Sequence, residues 1–78
     1  MERTALLLQI QEIFRDVLDE DNINLYEDTT ADEVDGWDSL THIQLIVAIE
    51  KKIKIRFTSK EILSWKNVGE MMNCILSK

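Results

Sequence analysis

Apolar residues recur at three- and four-residue spacing along the first part of the chain. Leu7, Ile10, Phe14, Val17 and Leu18 fall on one side of a helical wheel, with Gln9, Gln11, Glu12, Arg15 and Asp16 mainly on the other. That period predicts an amphipathic helix over residues 2–18. From residue 19 to residue 36 the period vanishes and Asp, Asn, Glu and Thr dominate. The stretch reads as a long ordered loop, with Ile23, Leu25, Tyr26 and Val34 as candidate anchors to a core. A loop this long in a chain of 78 residues is uncommon, and such loops usually carry function.

Helical spacing resumes at Asp38, whose carboxylate is suited to accept a backbone N–H of a following first turn. A second helix is predicted over residues 39–52. Its apolar residues, among them Leu40, Ile43, Ile46, Val47 and Ile49, spread around most of the wheel. Such a helix is buried on two sides or offers an apolar side to something else. Thr58-Ser59-Lys60-Glu61 fits a capping box and predicts a short third helix ending near Ser64. Asn67-Val68-Gly69-Glu70 repeats the cap-and-acid pattern, and Val68, Met71, Met72, Ile75 and Leu76 keep helical spacing to the end. The expected fold is all-α: a small four-helix bundle of three longer helices and one short one, with a long loop between the first two, built by residues 1–78 as a single domain.

Length changes the picture by narrowing function. Nearly all the apolar residues must share one core, and little is left to wall a deep concave pocket, which argues against an enzyme. Cys74 is the single cysteine and His42 the single histidine, so neither an internal disulfide nor a usual zinc spacing is available, and no metal is expected. A reducing cytoplasm is the expected compartment. No apolar run approaches membrane-spanning length, so no membrane association is expected. The net charge of −6 is unevenly spread. Residues 1–39 hold twelve acidic and two basic residues, a net of −10, and residues 40–78 hold three acidic and seven basic, a net of +4. An acidic total argues against nucleic acid as a partner, because binding it needs a basic face.

The distinctive local feature is Asp35-Gly36-Trp37-Asp38-Ser39-Leu40, a serine opening a helix directly after an acidic loop. A hydroxyl in a first helical turn points away from the bundle, and free N–H groups with the helix dipole favour an anion such as a phosphodiester there. Gly36 gives the chain freedom to turn, and Leu40 and Ile43 hold the new helix on the core.

Asp38-Ser39-Leu40, continued by Thr41-His42-Ile43-Gln44-Leu45-Ile46-Val47-Ala48-Ile49-Glu50, resembles the attachment motif and second helix of the acyl carrier protein family. The likeness extends over nearly the whole chain, since the helices and the acidic loop come in that family's order. The resemblance implies a carrier, not an enzyme: a 4'-phosphopantetheine arm on Ser39, installed from coenzyme A by a phosphopantetheinyl transferase. The arm holds an acyl or aminoacyl group as a thioester for loading and processing enzymes. It implies that Asp38 caps the helix and lies near the transferase's magnesium ion during loading. Leu40 matches the family's hydrophobic partner contact, and Trp37, Thr41 and Ile46 are expected beside it on the partner surface of a monomer. Two departures bear on pathway. The second helix of fatty-acid carriers is strongly acidic, whereas this one has Thr41 and Gln44 early and Lys51 and Lys52 late, which points to a dedicated pathway rather than bulk fatty-acid synthesis. Trp37 is bulkier than the small residue often found there, with packing against the loop as its simplest role.

Plainer readings stand beside these. An unmodified helical interaction module, using the apolar side of the second helix, is the alternative to a carrier. Asp19-Glu20-Asp21-Asn22 opens like a calcium loop, but Ile23, Asn24 and Thr30 occupy positions that need a ligand, a glycine and a glutamate. His42 lies one turn from Ser39, yet no oxyanion hole or water-excluding cleft accompanies the pair, so it is expected in solvent or against a partner. Cys74 and the methionines are expected to pack in the core.

Overall fold

The computed structural model describes residues 2–78. Four helices follow one another: α1 (Arg3–Leu18), α2 (Ser39–Ile53), α3 (Ser59–Ser64) and α4 (Val68–Leu76), with one 3-10 turn, Ala31–Glu33, between α1 and α2. No strand occurs among the described residues, so the fold is the expected all-α four-helix arrangement. Both long helices stop by the same device. Asp19 and Lys54 adopt left-handed φ values of 53° and 64°, and their N–H groups fold back onto the carbonyls of Arg15 and Glu50.

The buried face of α1 is turned from the expected one. Leu6, Ile10, Ile13 and Phe14 enter the core, whereas Leu7, Val17 and Leu18 are half-buried at its margin. Both sets have helical spacing, and the side of the wheel is chosen by what packs on it. Here that is Leu45 and Ile49 of α2 and Val68, Met71, Met72 and Ile75 of α4. Met71 and Met72 are fully buried and Cys74 is half-buried, its thiol pushed up first by burial and then by neighbouring Glu61.

The long connection is held from both sides. Arg15 Nε donates to the Ile23 carbonyl at 2.8 Å, and the Leu25 N–H donates to Gln11 Oε1 at 2.9 Å. Ile23, Leu25 and Val34 are the anchors predicted for it, but Tyr26 is exposed and Thr29 is buried in its place, its Oγ1 accepting the Tyr26 N–H at 2.8 Å. The loop also starts α4. The first N–H groups of that helix, from Val68 and Gly69, donate to the loop carbonyls of Thr29 and Glu27 at 3.0 and 2.7 Å, and Asn67 Oδ1 accepts from Glu70 at 2.9 Å. Donors that a helix leaves unpaired at its N-terminus are thereby satisfied. Gly69 is required by this approach, since a Cβ there would stand 2.8 Å from the Glu27 carbonyl oxygen.

Candidate functional site

Gly36, with φ of 86°, turns the chain at the end of the loop, and Asp38 leads into α2 in extended backbone. Asp38 Oδ1 accepts the N–H groups of Leu40 and Thr41, both at 3.0 Å. Thr41 completes the box, its Oγ1 accepting the Asp38 N–H at 2.8 Å and donating to the Gly36 carbonyl. These bonds hold the Asp38 carboxyl below its usual range, chiefly through the Thr41 N–H and against the opposing effect of burial. One carboxylate oxygen does all the capping, leaving Oδ2 outside the hydrogen bonds of the described residues.

Ser39 is the first residue of α2, exposed, and its Oγ takes part in no hydrogen bond among the described residues. One expectation about its surroundings needs correcting. Most donors at this helix end are not free, because Asp38 takes the Leu40 and Thr41 N–H groups on its carboxylate and the His42 N–H on its backbone carbonyl at 2.8 Å, which leaves only the Ser39 N–H without a partner among the described residues. An anion on Ser39 meets the helix dipole but not those three donors.

Beneath the serine lies an aromatic cluster that periodicity did not reveal. Trp37 is 9% exposed and sits edge-on to Phe14, with ring centroids 4.8 Å apart. Its Nε1–H donates to His42 Nδ1 at 3.0 Å. An indole N–H can only donate, so His42 Nδ1 is the acceptor, and the ring's other nitrogen carries the proton and donates to the Ile62 carbonyl at 3.2 Å. Trp65 packs edge-on against His42, and Phe57 against Trp65, at centroid distances of 6.1 and 5.0 Å. His42 is half-buried with both ring nitrogens hydrogen-bonded inside the fold, so it is not placed to take a proton from Ser39. It ties the start of α2 to the end of α3. Above the cluster an open cleft of about 540 Å³ runs past Ser39, Trp37, His42, Ile43, Leu63 and Trp65.

Of the residues expected on a partner surface, Leu40 is 71% exposed, while Trp37 and Ile46 are buried at 9% and 3%. The buried pair is removed from that surface, Trp37 as part of the hydrophobic core and Ile46 by its near-complete loss of solvent contact. Thr41 is half-buried, its hydroxyl spent on the cap. Ile43 and Val47, which were not singled out as contacts, take the vacated places at 52% and 43% exposure. With Leu40 they make one stripe at positions i, i+3 and i+7.

An exposed, unengaged serine opening a capped helix suits esterification by a phosphate, and comparison with known proteins bears on which. The family model described as the phosphopantetheine attachment site matches residues 8–75. Among solved structures, the holo acyl carrier protein of Geobacter metallireducens, determined by NMR in solution, superposes with a TM-score of 0.85 at 42% identity, covering 92% of this chain and 83% of that one. Comparison with curated proteins finds no significant match. With the attachment-site family spanning most of its length and a holo carrier sharing its fold at this identity, the chain belongs to the acyl carrier protein family, a carrier rather than a catalyst, bearing covalently attached 4'-phosphopantetheine.

Proposed function

We propose that Ser39 is the residue that carries the arm, and that the loaded chain presents an acyl or aminoacyl thioester to partner enzymes of a dedicated pathway rather than of bulk fatty-acid synthesis. The observation that carries the assignment is the exposed, unengaged Ser39 hydroxyl at the first position of α2. During loading Ser39 gives up its hydroxyl proton and accepts the phosphopantetheinyl group of coenzyme A, with adenosine 3',5'-bisphosphate leaving. Bound, the arm supplies a terminal thiol that forms the thioester. Asp38 has two roles: Oδ1 fixes the helix that displays the serine, and Oδ2 is available to a divalent cation held by the transferase.

The partner surface is the stripe Leu40, Ile43 and Val47. Residues 39–49 contain no acidic side chain, and Lys51, Lys52 and Lys54 follow, all exposed. That arrangement suits a partner with an apolar recess beside an acidic patch, and pathways of polyketide, nonribosomal-peptide or polysaccharide modification are the candidates. The cytoplasm, where coenzyme A is supplied and a lone thiol such as Cys74 stays reduced, is the proposed site of action.

Intact mass after incubation with a broad-specificity phosphopantetheinyl transferase and coenzyme A tests the assignment. The expected result is a gain of one phosphopantetheinyl group, absent in Ser39→Ala. A gain that survives Ser39→Ala moves the site elsewhere, and no gain at all restores the unmodified interaction module.

A further inference from the structure

A tethered cargo has two places to go: into the interior beneath its attachment point, or along the surface. His42 lies one turn along α2 from Ser39 on the same face, so the interior is approached through it. That route is filled. Trp37 occupies it, packed edge-on to fully buried Phe14 and hydrogen-bonded to His42, and His42 is pinned on its other side to the Ile62 carbonyl. Entry of an alkyl chain requires Trp37 to leave the core and its indole N–H to lose its acceptor. A two- to four-carbon acyl group buries too little apolar surface to drive that exchange. Outside, by contrast, the open cleft beside Ser39 offers the apolar side chains of Ile43 and Leu63 and the ring of Trp65, with Asp32 and Lys66 adding charges of both signs.

We infer that this carrier keeps its acyl or aminoacyl cargo outside the helical core, with the arm lying along the aromatic cleft, because Trp37 and His42 fill the interior directly beneath Ser39. The inference rests on the attachment proposed for Ser39.

Both tryptophans line this cleft, but only Trp37 is packed on Phe14 and bonded to His42, so a change in its indole N–H signal with cargo length reports on the interior route and the Trp65 signal on the surface one. Acetyl-, butyryl- and octanoyl-phosphopantetheine forms are prepared with a broad transferase and the corresponding coenzyme A thioesters, and their masses verify loading. In ¹H–¹⁵N spectra the Trp37 indole signal is expected to stay in place from the holo and acetyl forms to the octanoyl form, while that of Trp65 moves on loading. The melting temperature of the octanoyl form is expected to equal that of the holo form. Displacement of the Trp37 signal by the octanoyl chain, with a melting temperature above that of the holo protein, overturns the inference while leaving the carrier assignment standing. Trp37→Phe, which keeps an aromatic ring but vacates part of the space, is expected to let the octanoyl chain in and so to gain thermal stability on loading. The absence of any mass gain removes the attachment at Ser39 and this inference with it, a failure distinguishable from the first.

Discussion

His42 shows how one side chain can join three segments at a site it does not react in. It accepts from Trp37 in the approach to α2, donates to Ile62 at the end of α3, and lies between two indole rings. His42→Ala leaves the buried Trp37 N–H without an acceptor, at an expected cost of about 1–3 kcal/mol. Urea denaturation of the two proteins checks this, and an unchanged midpoint would show that the bridge contributes nothing. This part of the site was not legible in the sequence. Its partners lie five residues before and twenty residues after His42, and helical spacing joins it to neither, whereas its spacing from Ser39 invited a pairing that the fold does not make. Asp38 and Ser39 were legible because capping is local chemistry: the carboxylate, the first turn and the exposed hydroxyl all fall within four residues of one another.

Among the elements, those with start signals in their own residues were read correctly. The capping box of α3 forms as expected, Thr58 Oγ1 accepting from Glu61 at 3.1 Å and Glu61 Oε1 accepting from Thr58 at 2.8 Å. The long loop was visible only as an absence of period. Its use as the cap of α4 depends on backbone carbonyls, which carry no residue signature, and Gly69 marks that junction only once the fold is known. Gly69→Ala is expected to cost about 1–3 kcal/mol, because the loop backbone must retreat from the new methyl group. Equal stability of the two proteins in urea would deny the close approach. The start of α2 carries a pH dependence of stated sign. The Asp38 carboxyl titrates below its unfolded value, so its contribution to stability is complete above the ordinary carboxylate range near pH 4 and is lost as pH falls through the lowered folded value. Wild-type protein should therefore lose thermal stability between about pH 5 and pH 2 more steeply than Asp38→Asn, which has no charge to lose there. Parallel curves would mean that the carboxylate's charge does not support the helix.

For the whole molecule, charge separates along the chain as it does in the composition. The described residues form three ion pairs, Arg3 with Glu27, Arg15 with Glu12 and Lys78 with Glu61, and none of them uses Lys51, Lys52 or Lys54. These lysines follow the apolar stripe that begins beside Ser39, and exposed charges of this kind govern the rate of encounter more than the depth of binding. Reversing Lys51 and Lys52 to glutamate should slow turnover by the native partner about tenfold at low ionic strength and leave loading at Ser39 nearly unchanged. Equal effects on both rates would remove the lysines from partner choice. The all-α order was legible as a whole, while the buried side of α1 and the burial of Ile46 were not, because a helix with apolar residues on several sides is oriented only by its neighbours.

Display of the Ser39 hydroxyl, on which every functional statement depends, is tested most directly by tandem mass spectrometry of the loaded protein after cleavage. The added phosphopantetheinyl group should localise to Ser39 alone. Its localisation to Thr41, to Ser59 or to any other hydroxyl would contradict the account.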